Sequence, residues 1–442
     1  MMDIKKYLDK IGVKELNAMQ QDALDTICSS NDDVVVLSPT GTGKTLAYLL
    51  PLTELVDASS DDLQTVVVVP GRELALQSAT VLKGLSSGIR SLACYGGRPA
   101  MDEHRQLRQV CPQVIFGTPG RLNDHLDKGN ISPAQIGILV IDEFDKCLEM
   151  GFSDEMIRLL AKLPNIRRRI LLSATDAEEI PHFVGHGNIR RIDYLSENKN
   201  VSGRIALHRV DSPEKDKLET LRSLLLSIGN GSTIVFLNYR ESVERASAYL
   251  SEQGFSVSAF HGGLDQRGRE SALYRFANGS ACILVSTDLG SRGLDIPDVE
   301  NIIHYHMPET KEAYLHRIGR TARWDKNGRA FFILATGEKI PDYVAGDIPN
   351  YSLSPKGMPA RPRMTTLYIG KGKKDKISKG DLVGFLCKKG GLSKDDIGRI
   401  DVRDYYCYVA VNRSKAAEML KKVRGEKIKG LRTLVEIAAP EA

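Results

Sequence analysis

The eight residues Ser38-Pro39-Thr40-Gly41-Thr42-Gly43-Lys44-Thr45 constrain this chain more than any other stretch. They follow Val34-Val35-Val36-Leu37, a short β-branched run, and precede the helix-like Leu46-Ala47-Tyr48-Leu49-Leu50. Strand, glycine-rich loop and helix in that order aim backbone N–H groups and a helix N-terminus at one point, which suits a phosphate. The strict GxxxxGK[ST] pattern is not met, because position 38 is Ser where the pattern has its first Gly. The physics survives the mismatch. Gly41 and Gly43 let the Thr40–Thr45 backbone close on phosphate oxygens, Lys44 reaches the β- and γ-phosphates, and Thr45 offers its hydroxyl to Mg²⁺. A nucleoside triphosphate site is expected.

At 442 residues the chain is too long for one ordinary core, so two or three domains are expected. No apolar run approaches the roughly 18 residues of a membrane span, and Met1-Met2-Asp3-Ile4-Lys5-Lys6 lacks a signal-peptide core. A cytoplasmic protein without a membrane partner follows. Seven scattered cysteines contain no CxxC pair, which argues against a zinc site or a disulfide framework. The net charge of +5 is unevenly spread. From Arg361 onward there are 20 Lys and Arg against 10 Asp and Glu, a net of +10, leaving −5 for the 360 residues before it. A basic tail on a near-neutral body points to an acidic polymer as partner.

Residues 1–200 alternate short apolar strands (34–37, 65–69, 91–95, 114–116, 138–141 and 169–172) with helical stretches. That pattern predicts a parallel sheet covered on both faces. Residues 204–340 repeat the layout without a phosphate loop, with strands at 206–210, 233–237, 257–260, 282–286, 301–306 and 330–334. A polar link near 195–203 joins the two. Residues 341–363 read as a Pro- and Gly-bearing linker, and 364–442 as a βαββαβ unit of the RRM kind. The expected fold class is α/β: two tandem RecA-like domains and a small α+β RRM-like domain.

Asp142-Glu143-Phe144-Asp145 closes the strand 138–141. Carboxylates at the carboxyl end of a strand near a phosphate loop can hold Mg²⁺ and orient an attacking water. Asp142 is the expected metal holder and Glu143 the general base.

The chain resembles the DEAD-box RNA helicases over nearly all of residues 12–336. Gly12–Gln20 resembles the Q motif, Ser38–Thr45 the AxTGxGKT motif with Ser for Ala, Pro70-Gly71-Arg72-Glu73-Leu74-Ala75 the PTRELA motif, and Gly96-Gly97 the GG motif. Thr118-Pro119-Gly120-Arg121 resembles TPGR, and Ser173-Ala174-Thr175 is the SAT motif. Downstream, His261-Gly262-Gly263 precedes Gln266 and Arg269 of a QxxR motif. Thr287-Asp288 through Arg292-Gly293-Leu294-Asp295 fits TDxxxRGxD, and His316 to Arg323 fits HRIGRTGR with Ala for the second Gly.

The resemblance implies an ATP-hydrolysing RNA helicase. It implies that Gln20 reads adenine, Asp295 touches the ribose, and Arg320 and Arg323 act as arginine fingers when two domains close. Asp145, Ser173, Thr175 and His316 would couple hydrolysis to the domain interface. Arg72, Gly97, Thr118, Arg121, Arg269, Thr287 and Arg292 would grip the backbone of one RNA strand, without reading sequence.

Three departures stand out. Phe144 replaces the small Ala of DEAD, which is expected to alter packing against Ser173–Thr175. Gly71 replaces Thr in PTRELA. Tyr7, the one aromatic residue before Gly12, is at the wrong spacing to stack on adenine as the family's upstream aromatic does.

The tail resembles the RNA-binding domain of the DbpA-type group, notably in Lys373-Lys374-Asp375-Lys376, Gly380–Gly384, Ile397–Ile400 and Tyr408–Val411. That implies a 23S ribosomal RNA hairpin as target, with Lys373, Lys374 and Lys376 on phosphates. Tyr368, Tyr406 and Tyr408 would stack bases if they face an open side of the sheet. A monomeric helicase acting in large-subunit assembly is the expectation. An RNA clamp with little turnover and a DNA-directed translocase stay open as alternatives.

Overall fold

In a computed structural model, residues 4–97, 100–176, 188–195, 204–288, 299–321, 327–344, 346 and 348–438 are described. They divide into two compact units, the described residues up to 195 and those from 204 onward.

The first unit is built on a seven-stranded sheet of β1 (Asp33–Leu37), β2 (Thr65–Val68), β3 (Ser91–Cys94), β4 (Val114–Gly117), β5 (Ile138–Ile141), β6 (Arg168–Ser173) and β7 (Ile189–Asp193). The spatial order is β3-β4-β2-β5-β6-β1-β7, and every pairing is parallel. Strand alternation separates two cores. Val34, Val36, Val67, Phe116, Val140 and Leu172 join one cluster, while Val35, Leu37, Val66, Ile115, Ile141 and Leu171 join the other. Both faces are thus apolar and helix-covered, as near-continuous Val/Ile/Leu strands require. Six of these strands agree with the predicted segments to within one or two residues. The seventh, β7, was not anticipated: it is a polar edge strand with only Ile192 buried.

The second unit holds a six-stranded parallel sheet of β8 (Ile205–Asp211), β9 (Thr233–Leu237), β10 (Val257–Phe260), β11 (Ile283–Thr287), β12 (Asn301–His304) and β13 (Gly328–Leu334), ordered β10-β11-β9-β12-β13-β8. The same unit contains the tail, a four-stranded antiparallel sheet of β14 (Met364–Ile369), β15 (Ile397–Val402), β16 (Cys407–Asn412) and β19 (Val435–Ile437), ordered β15-β16-β14-β19. A small hairpin, β17 (Lys427–Ile428) and β18 (Leu431–Arg432), precedes its last strand. Helices Lys379–Lys388 and Arg413–Val423 cover one face, closing a core of Leu367, Ile369, Leu382, Leu386, Val409 and Met419.

The other face of the tail sheet, which carries the tyrosines, is not open. Tyr368 and Tyr408 are cross-strand partners, and Tyr406 lies two residues from Tyr408. The helix Gln266–Ala277 of the preceding sheet domain packs onto them. Tyr274 stacks on Tyr408 at 5.2 Å between ring centroids, the Tyr406 hydroxyl donates to Glu270 Oε2 at 2.7 Å, and the Arg267 guanidinium lies 4.4 Å from the Tyr368 ring centre. Beside them Asn278 Nδ2 donates to Thr366 Oγ1 at 2.9 Å. Base stacking on this face is therefore not what the tyrosines do here: they bind the tail to its neighbour.

Candidate active site

In the parallel sheet of the first unit, the chemistry-bearing residues lie just beyond carboxyl ends of strands, the edge where open α/β sheets take their ligands. Ser38–Gly43 follows β1, Arg72 follows β2, Gly97 follows β3, Thr118 follows β4, Asp142 follows β5, and Ser173 ends β6.

Gly41 and Gly43 adopt φ of +85° and +84°, and helix Lys44–Leu55 starts directly after them. At Gly43 a Cβ would also lie 2.3 Å from Gln20 Nε2, so a side chain there would have to push that amide aside at a φ that favours glycine. Gln20 is buried and tied to this loop: Nε2 donates to the Gly43 carbonyl at 3.2 Å, and Oε1 accepts from Asn17 N at 3.1 Å. Asn17 Nδ2 in turn donates to the Thr42 carbonyl. Ser38, the residue that breaks the strict pattern, donates to Thr42 Oγ1 at 2.7 Å and steadies the loop from within. Lys44 Nζ donates to the carbonyls of Ser38 (2.5 Å) and Pro39 (2.9 Å). Burial pushes its amine down to about 8, against the pull of Asp145, Glu143 and Asp142. Thr45 is the second residue of the helix. Tyr7 is half-buried against the apolar cluster that includes Leu46 and Tyr48.

The acidic turn is the electrostatic counterpart. Burial, then the charge of Glu143, pushes the Asp142 carboxyl up to about 7 despite Lys44 and Lys146. Its Oδ2 is buried with no hydrogen-bond partner among the described residues. A buried, unsatisfied carboxylate oxygen beside a threonine-bearing phosphate loop is a donor set that suits a hard divalent cation. Glu143 adopts φ +53°, and its carboxylate lies 2.6 Å from the buried Lys146 ammonium. Asp145 Oδ2 accepts from Ala174 N (3.2 Å) and Thr175 Oγ1 (3.0 Å). Ser173 bonds to Thr175 rather than to Asp145. Phe144 is buried in the apolar cluster with Leu37, Cys147, Met156 and Leu171. The expected disturbance of Ser173–Thr175 does not arise, because the ring points into the core while Asp145 keeps both bonds.

Arg72 and Gly97 lie side by side: a Cβ at Gly97 would lie 2.5 Å from Arg72 Nη1. Arg121 behaves differently. Its Nε is held by Glu103 Oε2 at 2.7 Å and its Nη1 by Asp124 at 3.3 Å, with the side chain 12% exposed. Cys94, Glu103 and His125 are close enough to hold a metal ion, but the Arg121 guanidinium already supplies the positive charge.

In the second unit Arg269 Nη2 donates to the Gly262 carbonyl at 2.9 Å. Thr287 ends β11, His316 lies in the helix Lys311–Ile318, and Arg320 follows that helix. In the tail, Lys373 and Lys374 lie in a 3₁₀ turn, which Lys376 closes at φ +59°. Arg292, Asp295 and Arg323 lie outside the described residues.

Comparison with known proteins is consistent along the chain. Residues 17–182 match the DEAD/DEAH box helicase family, 216–325 the helicase conserved C-terminal domain, and 366–437 the DbpA RNA binding domain. The ATP-dependent RNA helicase DbpA of Escherichia coli K12 is 36% identical over 433 residues, covering 96% of this chain and 94% of its own. The Bacillus subtilis DbpA is 29% identical over 461 residues, covering 97% and 96%. This chain belongs to the DbpA group of DEAD-box ATP-dependent RNA helicases. Its fold also matches Saccharomyces cerevisiae Dbp5 bound to RNA and ADP BeF3 (TM-score 0.67, 27% identity, 75% of this chain and 86% of that one). Mss116p bound to single-stranded RNA and AMP-PNP gives a TM-score of 0.69 at 25% identity, covering 80% and 78%.

One arginine of this helicase lies outside the motifs, and another lies inside one without a role that the motif states. Arg240, just past β9, lies against Gly263, where a Cβ would come within 2.5 Å of its guanidinium carbon. The cue was the run Asn238-Tyr239-Arg240 at a strand's carboxyl end. Arg317 is fully buried, pairs with both Asp288 oxygens at 2.6 Å, and donates to the His306 carbonyl and Asn238 Oδ1. It ties the loops after β9, β11 and β12 together, a role that its place in the HRIGRTGR-like stretch does not state. Among the described residues no helix is long and apolar enough to cross a membrane.

Proposed function

We propose that this helicase unwinds short RNA duplexes in 23S ribosomal RNA during large-subunit assembly, as a cytoplasmic monomer. The observation that carries the reading is the tail. The segment matching the DbpA RNA binding domain is fixed by its tyrosine face to the domain bearing Arg269 and Thr287.

In this reading Gln20 and Asp295 select and seat ATP, while the Thr40–Thr45 backbone and Lys44 cradle its phosphates. Thr45 and Asp142 hold Mg²⁺, which supplies charge neutralisation at the phosphates. Glu143 orients the attacking water and accepts its proton. Arg320 and Arg323 come from the second domain, so hydrolysis depends on closure. Asp145 reports through Thr175, with Ser173 bracing that turn and His316 answering from the other domain. Arg72, Gly97, Thr118, Arg269, Thr287 and Arg292 hold one strand by its backbone, and Arg121 anchors the Thr118 segment from inside. Relatives solved with RNA and a nucleotide analogue together support this division of labour.

The test is ATP turnover by the full chain with no RNA, with unstructured RNA, and with a 23S fragment carrying the DbpA-type hairpin. Strong stimulation by that fragment, abolished by Glu143→Gln, is expected. Equal stimulation by every RNA would remove the ribosomal target. A turnover that Glu143→Gln leaves unchanged would favour a clamp.

A further inference from the structure

The short helix Phe144–Glu149 turns one lysine inward. Lys146 is fully buried, flanked in sequence by the buried Asp145 and Cys147. A buried ammonium is costly, and an apolar side chain of similar volume often serves stability as well or better. This ammonium reaches back one turn instead, to lie 2.6 Å from Glu143 Oε1. Glu143 stands at the helix N-cap with φ +53°, ahead of the regular turns, so the helix does not set the direction of its side chain. Lys146 is also tied through its main chain. Its N–H lies 3.0 Å from the Glu143 carbonyl and 3.1 Å from Asp145 Oδ1. Asp145 Oδ2 in turn accepts from Ala174 N and Thr175 Oγ1. One residue thus joins two carboxylates of the acidic turn, Glu143 by its ammonium and Asp145 by its amide.

We propose that Lys146 is a positioning residue for hydrolysis: its ammonium holds the Glu143 carboxylate in one orientation toward the attacking water. This rests on Glu143 being the base, and adds the residue that aims it. A general base works only within hydrogen-bond reach of the proton it takes, so a carboxylate free to swing loses rate although its chemistry is intact. A buried partner whose own backbone is pinned on two sides fixes that orientation better than a surface lysine could. The pair then serves geometry rather than stability, which accounts for a charge in a place where packing alone favours none.

Steady-state ATP turnover by the full chain decides it, with Mg²⁺ in excess and with the 23S fragment or oligouridylate, each at saturation. Lys146→Met is expected to lower kcat roughly ten-fold and to leave the KM for ATP within about two-fold of wild type. Added to Glu143→Gln it should cost nothing further, because no base is left to aim. Lys146→Arg keeps a cation and should recover most of kcat. Lys146→Gln is neutral and too short to reach Glu143, so it should fall as Lys146→Met does, and it carries the test if the Met variant does not fold. Wild-type kcat in the neutral variants, with Glu143→Gln inactive, would overturn the inference alone. So would a loss from Lys146→Met that is equally large with and without Glu143→Gln. Wild-type turnover in Glu143→Gln would overturn the base itself, and the inference with it.

Discussion

Glu103 Oε2 lies 2.7 Å from Arg121 Nε and 2.8 Å from His125 Nε2, with the carboxylate 1% exposed. Its other oxygen accepts from Tyr95 N at 3.2 Å. Asn130 Nδ2 faces His125 Nδ1 at 3.3 Å, so the amide donates there while Nε2 carries a proton toward Glu103. One carboxylate thereby holds the arginine of the Thr118–Arg121 turn and the helix behind it. Glu103→Ala would leave the nearly buried Arg121 with only the more distant Asp124 carboxylate to balance it, and should destabilise the first unit by about 3 kcal/mol. Glu103→Gln, which keeps an acceptor, should cost less and raise the RNA KM more than it lowers kcat. Urea unfolding and RNA-stimulated turnover check the two statements.

The same pair makes an acid-side prediction. Burial acts to raise the Glu103 carboxyl, but hydrogen bonds from His125, Arg121 and Tyr95 more than offset it, so its folded-state pKa is lowered. A lowered carboxyl stabilises the fold fully above the unfolded value, about 4.3, and loses that contribution as pH falls through the folded value. Wild type should therefore lose stability below about pH 4 more steeply than Glu103→Gln, as chemical denaturation in acid would reveal.

Asp142 titrates the other way. With its carboxyl pushed up to about 7, binding of a cation must displace a proton below that pH. Mg²⁺-dependent nucleotide binding should weaken from pH 8 to pH 6 and release protons as it occurs. Calorimetry in buffers of different ionisation heat would detect the release. Asp142→Asn should abolish both the proton release and turnover.

Phe144→Ala restores the residue the DEAD pattern has, yet here it should harm the protein. Removing a fully packed ring leaves a cavity worth about 3–5 kcal/mol, while the Asp145 bonds to Ala174 and Thr175 are untouched. The expected phenotype is a lower melting temperature with near-normal turnover at low temperature.

Tyr274→Ala removes the stack on Tyr408 and a bond to the Arg399 carbonyl. The tail should loosen from its neighbour while both keep their own cores. Limited proteolysis should then cut near residues 356–363 faster than in wild type, with the isolated sheets still protected.

Strand ends and loops carrying the helicase motifs were legible because each motif is a contiguous segment with its own spacing. What escaped depends on distance. β7 is an edge strand whose Arg190 and Arg191 face solvent, so it carries no apolar alternation to read. Glu103 and Arg317 look like surface charges in sequence, and only partners 18 and 29 residues away make them interior ones. Alternation places Tyr406 and Tyr408 on one face. It could not say that a helix more than a hundred residues upstream would cover it.

That helix has a further consequence. Gln266–Ala277 carries Arg269 toward the Gly262 loop and Arg267, Glu270 and Tyr274 toward the tail, all within three turns. Twelve residues span about 18 Å. On the proposed reading this short rod acts as a gauge: an RNA anchored at the tail meets the core's strand grip at a set distance along its own length. Where the duplex opens would then be chosen by measurement from the anchor, with no base read at the point of opening.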